Sequence, residues 1–235
     1  IYVDTYYPGT HDPLTASALR VSPASEVSAV DFAVLPTRAV VLRGTVVGPF
    51  SEREDLIPNV MLVQRNSTVA AGRLAFRGGG RGGRGGGGVK SDGTFELAGV
   101  VPGSYTLVAV VASRQGRGGR GGGVQMAGFL NIEVGADDVE GLIIPLQSNV
   151  PVAGRVLIDQ SAREINLSRL RIRLQAEGNL PVGSPNGQVE VDGTFVIDSV
   201  SQTVHRVSLT GLPSDAYIAA AYIGGRDVLG EGVRV

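Results

Sequence analysis

Hydrophobic and polar residues alternate along most of the chain, in short runs separated by Gly, Pro, Asn and Asp. In the clearest run, RLRIRLQ at 169–175, the two leucines and the isoleucine fall on one face and the three arginines on the other. Alternation with a period of two predicts strands with one buried and one solvated face. Because such runs recur from end to end, the sequence predicts an all-β fold of the sandwich type.

A repeated pattern organises the chain. VKSDGTFELAGVVPGSYTLVAVV at 89–111 is echoed by VEVDGTFVIDSV at 189–200, and a Gly-bearing opening strand precedes each copy, VVLRGTVVG or VPVAGRVLID. Asp-Gly supplies the positive φ of a tight turn, so each DGTF predicts a hairpin that points Phe95 or Phe195 into the core. We expect a Pro-containing turn next, VPGSY or LPSDAY, with Tyr105 and Tyr217 starting the following strand. SQTVHRVSLTG in the second copy is then an insertion.

These motifs resemble a known family. The succession of a GTV or GRV strand, DGTF and then PGSY or PSDAY is similar to the carboxypeptidase regulatory-like domain. The resemblance covers residues 38–147 well and 149–235 less fully. It implies tandem transthyretin-like (Ig-like) β-sandwich modules of seven strands, used as rigid spacers and adhesion units in secreted or surface proteins. The expected location is therefore extracellular or at the cell surface, and the resemblance implies no peptidase activity.

The ends of the chain do not match the module boundaries. Residues 1–37 are too few for a domain, and ALRVSPASEVSAVDFAVLP within them resembles the closing strands FLNIEVGADDVEGLIIPLQ of the complete module at 38–148. Residues 149–235 read as a second module without its final strands. The chain also opens without Met or a basic leader, which we interpret as a processed product or a fragment.

A sandwich without its last strands exposes its core and an unpaired edge, and an isolated strand pair is marginal in water. Two interpretations remain open. The chain is a piece of a longer tandem array, or residues 1–36 of one copy complete the groove at 200–235 of the next. We favour the second, a structural subunit of an extracellular filament assembled head to tail by β-strand complementation. The alternative function is a carbohydrate- or peptide-binding or spacer module of a larger secreted or outer-surface protein.

The partners expected are copies of the same chain or neighbouring modules, and a polysaccharide is left open. The candidate inter-subunit residues are Tyr2, Tyr6, Tyr7, Leu19, Val21, Val30, Phe32, Val34, Tyr222, Val228 and Val233.

Two Gly/Arg-rich tracts, at 77–88 and 114–123, fall where the first module needs loops. Their arginines include Arg77, Arg81, Arg84, Arg117 and Arg120. We expect loop insertions, which are tolerated because closure entropy rises slowly with length. Three roles are weighed: plain surface loops, packing between copies through close backbone approach, and nucleic-acid binding. A net charge of −1 and the absence of aromatic residues from both tracts disfavour nucleic acid.

Candidate chemistry is sparse. The chain has no Cys, and its two histidines, His11 and His205, have no triad partners at recognisable spacing. His205 alternates with valines, which predicts a surface or rim position. GADDVEG at 135–141 offers too few oxygens for calcium and reads as a solvated turn. No apolar run of about 18 residues predicts a membrane span. We therefore expect no enzyme, no cofactor and no metal.

Overall fold

The computed structural model describes residues 5–10, 15–28, 30–31, 36, 38–50, 56–65, 73–74, 87–112, 123–159 and 165–235. In this part of the chain the regular structure is β-strand and two short 3₁₀ turns, at Leu167–Arg169 and Glu177–Asn179. The strands are β1 (Val40–Val47), β2 (Asn59–Gln64), β3 (Arg73–Leu74), β4 (Gly87–Gly88), β5 (Thr94–Val100), β6 (Gly103–Ala112), β7 (Val124–Val134), β8 (Val139–Pro145), β9 (Gln147–Ser148), β10 (Val150–Arg155), β11 (Arg171–Ala176), β12 (Asn186–Gln188), β13 (Thr194–Val200), β14 (Val204–Thr210), β15 (Tyr222–Ile223), β16 (Arg226–Asp227) and β17 (Val233–Arg234).

The strands form two sandwich modules. The first has one sheet in the order β5-β1-β8 and another in the order β3-β2-β6-β7-β9, with β4 also pairing β2. The second has a sheet of β10 and β13 and another in the order β12-β11-β14-β17, and β15 and β16 form a separate hairpin. The predicted all-β fold with tandem sandwich modules is confirmed.

The repeated DGTF motif forms the same turn in both modules. Gly93 and Gly193 have φ values of 84° and 86°, the left-handed region that favours glycine. Asp92 accepts hydrogen bonds from the backbone N–H and the hydroxyl of Thr94, at 2.9 and 2.7 Å. Asp192 accepts the same two bonds from Thr194 at the same two distances. The predicted hairpins are confirmed.

The alternating run at 169–175 forms β11 and the residues that lead into it. Leu170, Ile172 and Leu174 are buried, and the intervening arginines are exposed. The three apolar side chains share a core cluster with Ile197 and Val200 of β13. One buried and one solvated face were predicted for this run, and both are present.

The strand after the second DGTF hairpin corrects the sequence alignment. β14 begins at Val204 and pairs with β11 from Arg171↔Thr210 to Ala176↔His205. From the DGTF turn onward, residues one hundred positions apart are therefore equivalent, and His205 corresponds to Tyr105. The stretch interpreted as an insertion is the strand itself. Tyr217 begins no strand and is 83% exposed, because the Pro-containing turn that resembled VPGSY lies after β14.

Chain contacts divide the molecule into two compact units. One comprises Ile1–Val46, Asn59–Leu107 and Phe129–Ile144, and the other comprises Val47–Pro58, Val108–Gly128 and Pro145–Val235. The module boundaries at 38 and 149 were drawn from the sequence repeat and stay predictions. Within the described ranges, no helix is long and apolar enough to cross a bilayer.

Candidate functional site

In the first module, β8 covers the edge of the opening strand β1. The backbone N–H of Val41 donates to Asp138 Oδ1 at 2.9 Å, and the N–H of Leu146 donates to the Val47 carbonyl at 2.8 Å. Residue numbers rise together along the two strands, so they run parallel. A Cβ built on Gly44 would lie 2.3 Å from the Leu142 carbonyl oxygen and 2.8 Å from Phe95 Cζ. Only glycine lets the two neighbours approach this closely.

An ion network spans the outer face of the same three strands. Arg43 on β1 pairs with Glu96 on β5 at 3.0 Å, Glu140 on β8 at 2.9 Å and Asp138 at 3.7 Å. The hydrogen bonds that Arg43 donates to Glu96, and then to Glu140, raise the pKa of Arg43. The sequence predicted a solvated acidic turn at 135–141, and the network adds that Asp138 and Glu140 tie β8 to β1. No group of three or more potential metal-ligating side chains occurs in the described ranges.

In the second module, the equivalent edge is open. β10 pairs with β13 through Gly154↔Phe195, as β1 pairs with β5 through Gly44↔Phe95. Among the described residues, β10 has no partner on its other side. The three atoms nearest to a Cβ on Gly154 all belong to Phe195, the closest at 2.6 Å. No described residue takes the position there that Leu142 occupies against Gly44.

The open edge leaves part of the second core exposed. Leu42, Val46 and Phe95 are buried in the first module. Their equivalents Val152, Val156 and Phe195 are only partly buried. In both modules the glycine of the opening strand faces the phenylalanine of the DGTF strand, so the local fold is the same. The difference in burial therefore follows from the absence of a described strand beside β10.

The outer face beside the open edge is apolar. Ala153 stands where the first module has Arg43, and Val196, which is 55% exposed, stands where it has Glu96. Leu157 is also exposed. Apolar residues are therefore exposed on this sheet where the first module has charges.

The described part of the N-terminal segment forms no strand. Tyr6 and Thr10 form an isolated bridge, and the Ser17 N–H donates to the Tyr7 carbonyl at 2.8 Å. The two tyrosines and Val30 are partly buried. Leu19 and Val21 are exposed. Tyr2, Phe32 and Val34 lie outside the described residues, as do all five candidate arginines of the Gly/Arg tracts.

The C-terminal candidates separate into three environments. Tyr222 is exposed on the β15–β16 hairpin, Val228 is partly buried, and Val233 is buried where β17 pairs with β14. The acceptor was predicted at 200–235, whereas the open edge described above is β10, at Val150–Arg155. A signal for it exists in the repeat: β8 precedes β10 in the chain but pairs with β1, so β10 needs a different neighbour.

One buried polar residue occupies the same position in each module. Tyr105 and His205 are fully buried, so the surface or rim position predicted for His205 is wrong. Its side chain lies on the inner face of β14, and its Nε2 is 2.8 Å from the Ser201 carbonyl. Among the described residues, neither the Tyr105 hydroxyl nor His205 Nδ1 has a hydrogen-bond partner. Burial raises the pKa of Tyr105.

No family model and no curated protein matches the sequence. Among solved structures, the chain is similar to a streptococcal ancillary pilin at 10% identity, covering 82% of this chain and 58% of the pilin, with a TM-score of 0.29. A DUF3823 family protein from Parabacteroides merdae is 13% identical over 70% of this chain and 81% of its own, with a TM-score of 0.26. A variant of the shaft pilin from Lactobacillus rhamnosus GG is 12% identical over 79% and 92%, with a TM-score of 0.23. The chain thus spans a little over half of the ancillary pilin, and the fold assignment above rests on the sheet topology.

Proposed function

We propose that the chain is a structural subunit of an extracellular or cell-surface filament, whose copies join head to tail by β-strand complementation. The N-terminal segment of one copy supplies the strand that the second module of the next copy does not have. Such a contact is heterologous, so repeating it produces a linear polymer. We also propose that both modules belong with the carboxypeptidase regulatory-like domains, on the strength of the shared DGTF turn.

The observation that carries this proposal is the contrast between two equivalent edges. β8 covers β1, and β10 has no described neighbour on the same side. An exposed strand edge with an apolar interior beside it is a template for pairing with another chain. Added strands gain main-chain hydrogen bonds from the edge and specificity from alternate side chains.

The apolar surface supports the same proposal. Twelve large hydrophobic residues are exposed in the described ranges. Three of them lie in the N-terminal segment, and six lie in the second module. Singly exposed apolar residues are ordinary, but a concentration in two regions suits a contact between those regions. A donated segment of about 15–20 residues would bury on the order of 1,000 Å².

The test is the assembly state of the full chain and of a chain without residues 1–36. We expect the full chain to sediment as polymers and the shortened chain to remain monomeric, with faster hydrogen exchange in β10 and β13. As a matched control, Arg20→Ala and Arg38→Ala should leave the polymers unchanged, because single exposed charges contribute little. If the shortened chain assembles as the full chain does, strand donation is wrong.

A binding module is the second candidate, and exposed tyrosines favour it. Tyr217 and Tyr222 are 83% and 70% exposed, and sugars stack on accessible aromatic faces. This function predicts retention on immobilised polysaccharide that Tyr217→Ala with Tyr222→Ala abolishes while assembly is unchanged. Equal retention of the wild-type and doubly substituted chains would exclude it.

A further inference from the structure

We infer that the strand that covers β10 is residues 28–35 of a second copy, parallel to β10, with Val30 against Ala153 and Val196. This inference rests on the proposed function and adds the register of the contact and the residues that select the donor. The acceptor consists of β10 and the neighbouring face of β13, all of it described in the structure.

The register follows from the first module. Gly44 and Gly154 both face a phenylalanine across the strand pair, so they anchor the comparison of the two opening strands. In the chain, Glu140 precedes Gly154 by fourteen residues, and Val30 precedes Gly44 by the same fourteen. With this offset, AVDFAVLP at 29–36 aligns residue by residue with VEGLIIPL at 139–146.

The apolar pattern of the segment fits the inward positions of β8. Leu142 and Ile144 face inward on β8, one partly buried and the other buried. At the same spacing the segment has Phe32 and Val34. Gly141 has a φ of 71°, and Asp31 stands in its place. Aspartate tolerates that left-handed conformation better than most residues. The equivalent of Leu146 is Pro36, which has no N–H, so the hydrogen bond that Leu146 donates to the Val47 carbonyl has no counterpart in the segment.

The outward positions distinguish this segment from β8. On the first module, Glu96, Arg43 and Glu140 form a charged row across three strands. On the second, the equivalent row begins with Val196 and Ala153, and the segment completes it with Val30. All three charged positions are replaced by apolar ones together. If a strand like β8 paired with β10, its glutamate would lie against the apolar side chains of Ala153 and Val196. If residues 28–35 paired with β1 instead, Arg43 would lose its ion pair with Glu140.

The cation described on this face is Arg155, two residues beyond Ala153 and so about 7 Å further along the strand. Its Nε donates to the Asp192 carbonyl at 3.1 Å, which directs the guanidinium toward the DGTF turn. Desolvating a carboxylate without a partner is costly. The edge of β10 therefore accepts the apolar segment and rejects the acidic strand β8.

The experiment is a charge swap in the full-length chain. Val30→Glu should weaken assembly roughly tenfold or more, read as the shift in the protein concentration at which polymers form. Ala153→Arg with Val196→Glu should weaken it by a similar factor, because both changes put charges opposite Val30. The triple variant recreates the charged row of the first module and should regain most of the lost assembly. Ser25→Glu is the matched control, since it adds the same charge at an exposed position outside residues 28–35, and it should assemble normally.

The outcomes separate the register from strand donation itself. If removal of residues 1–36 abolishes assembly while Val30→Glu has no effect, or if the triple variant fails to recover, the register is wrong and strand donation stands. A wild-type chain that stays monomeric overturns both. Hydrogen exchange of β11 and β14 in each variant checks that the second module stays folded, because that module contains the substituted acceptor residues and neither strand carries one.

Discussion

The two modules have the same turn and the same glycine-to-phenylalanine crossing, and they differ at one edge. In the first, β8 covers β1 and closes the core beneath it. In the second, no described residue covers β10 on that side, and its inward residues are only partly buried. The difference shows that the DGTF turn and the opening strand specify half a sandwich, and that closure of the first module depends on β8, a strand about one hundred residues away in the chain.

Truncating the equivalent phenylalanines should give the largest effect. Phe95 is 3% exposed and Phe195 is partly buried. We expect Phe95→Ala to cost its module about 3–5 kcal/mol, and Phe195→Ala to cost about 2 kcal/mol in the unassembled chain. Hydrogen exchange resolved by strand measures each module separately, which a single melting transition cannot do. Equal losses in the two modules would contradict the structural difference between the edges.

A smaller contrast is expected at the two crossing glycines. A Cβ at Gly44 would meet the backbone oxygen of Leu142 at 2.3 Å, whereas the three described atoms nearest to one at Gly154 all belong to the Phe195 side chain. Gly44→Ala should therefore destabilise by about 3 kcal/mol, and Gly154→Ala by about 1 kcal/mol, because overpacking against backbone relaxes poorly. The measurement is urea unfolding followed by exchange of β5 and β13. In polymers, the cost at Gly154 should rise toward that at Gly44, and a cost that stays low would argue that no strand covers β10.

Substitutions of the two buried polar residues, Tyr105 and His205, should change stability modestly and in opposite directions. The Tyr105 hydroxyl is buried and has no hydrogen-bond partner within the part of the chain that the structure describes, so Tyr105→Phe should leave stability unchanged or raise it by about 1 kcal/mol. His205→Ala should lower it, because the substitution leaves a cavity and removes the contact with the Ser201 carbonyl. Thermal unfolding of the two variants is the check. A large loss on Tyr105→Phe would mean that the hydroxyl has a partner in solution.

The smallest expected effect is a loss of stability at low pH, and it should be the same in both modules. Hydrogen bonds from the Thr94 hydroxyl, and then from its backbone N–H, lower the pKa of Asp92, and Thr194 does the same for Asp192. A pKa depressed on folding below its usual 3.8 means stability that is present above that value. It is lost as pH falls through the folded value. Acid unfolding should therefore affect both turns alike, and Asp92→Asn with Asp192→Asn should flatten the profile below about pH 4.

Unequal acid sensitivity of the two turns would be informative. Apart from the shared threonine bonds, Lys90 lowers the pKa of Asp92 and Arg155 lowers that of Asp192. Both aspartates are exposed, so salt should reduce these contributions. Exchange of Thr94 and Thr194 amides against pH measures the two turns separately, and a difference that survives high salt would point to another cause.

Local pattern was enough to predict the strands and the repeated turn. Alternation assigned the buried face at Leu170, Ile172 and Leu174, and Asp-Gly assigned the hairpins before Phe95 and Phe195, because both signals depend on neighbours in sequence. The alignment of Tyr217 with Tyr105 failed for the same reason. A proline turn followed by tyrosine looks alike wherever it occurs, and only the pairing of β14 with β11 shows that His205 is the equivalent residue.

The sequence by itself determined an all-β chain with a repeated strand pattern and its glycine turns. The tertiary structure alone decided which edge is covered, because β8 pairs with β1 across about one hundred residues and so leaves β10, its neighbour in the chain, without a described partner on one side. It also decided that Arg43 joins Glu96 and Glu140, and that Ala153 and Val196 occupy the equivalent places in the second module. Long-range strand order is not encoded in any local run of residues, since every strand of a sandwich presents the same alternation whichever partner it pairs with.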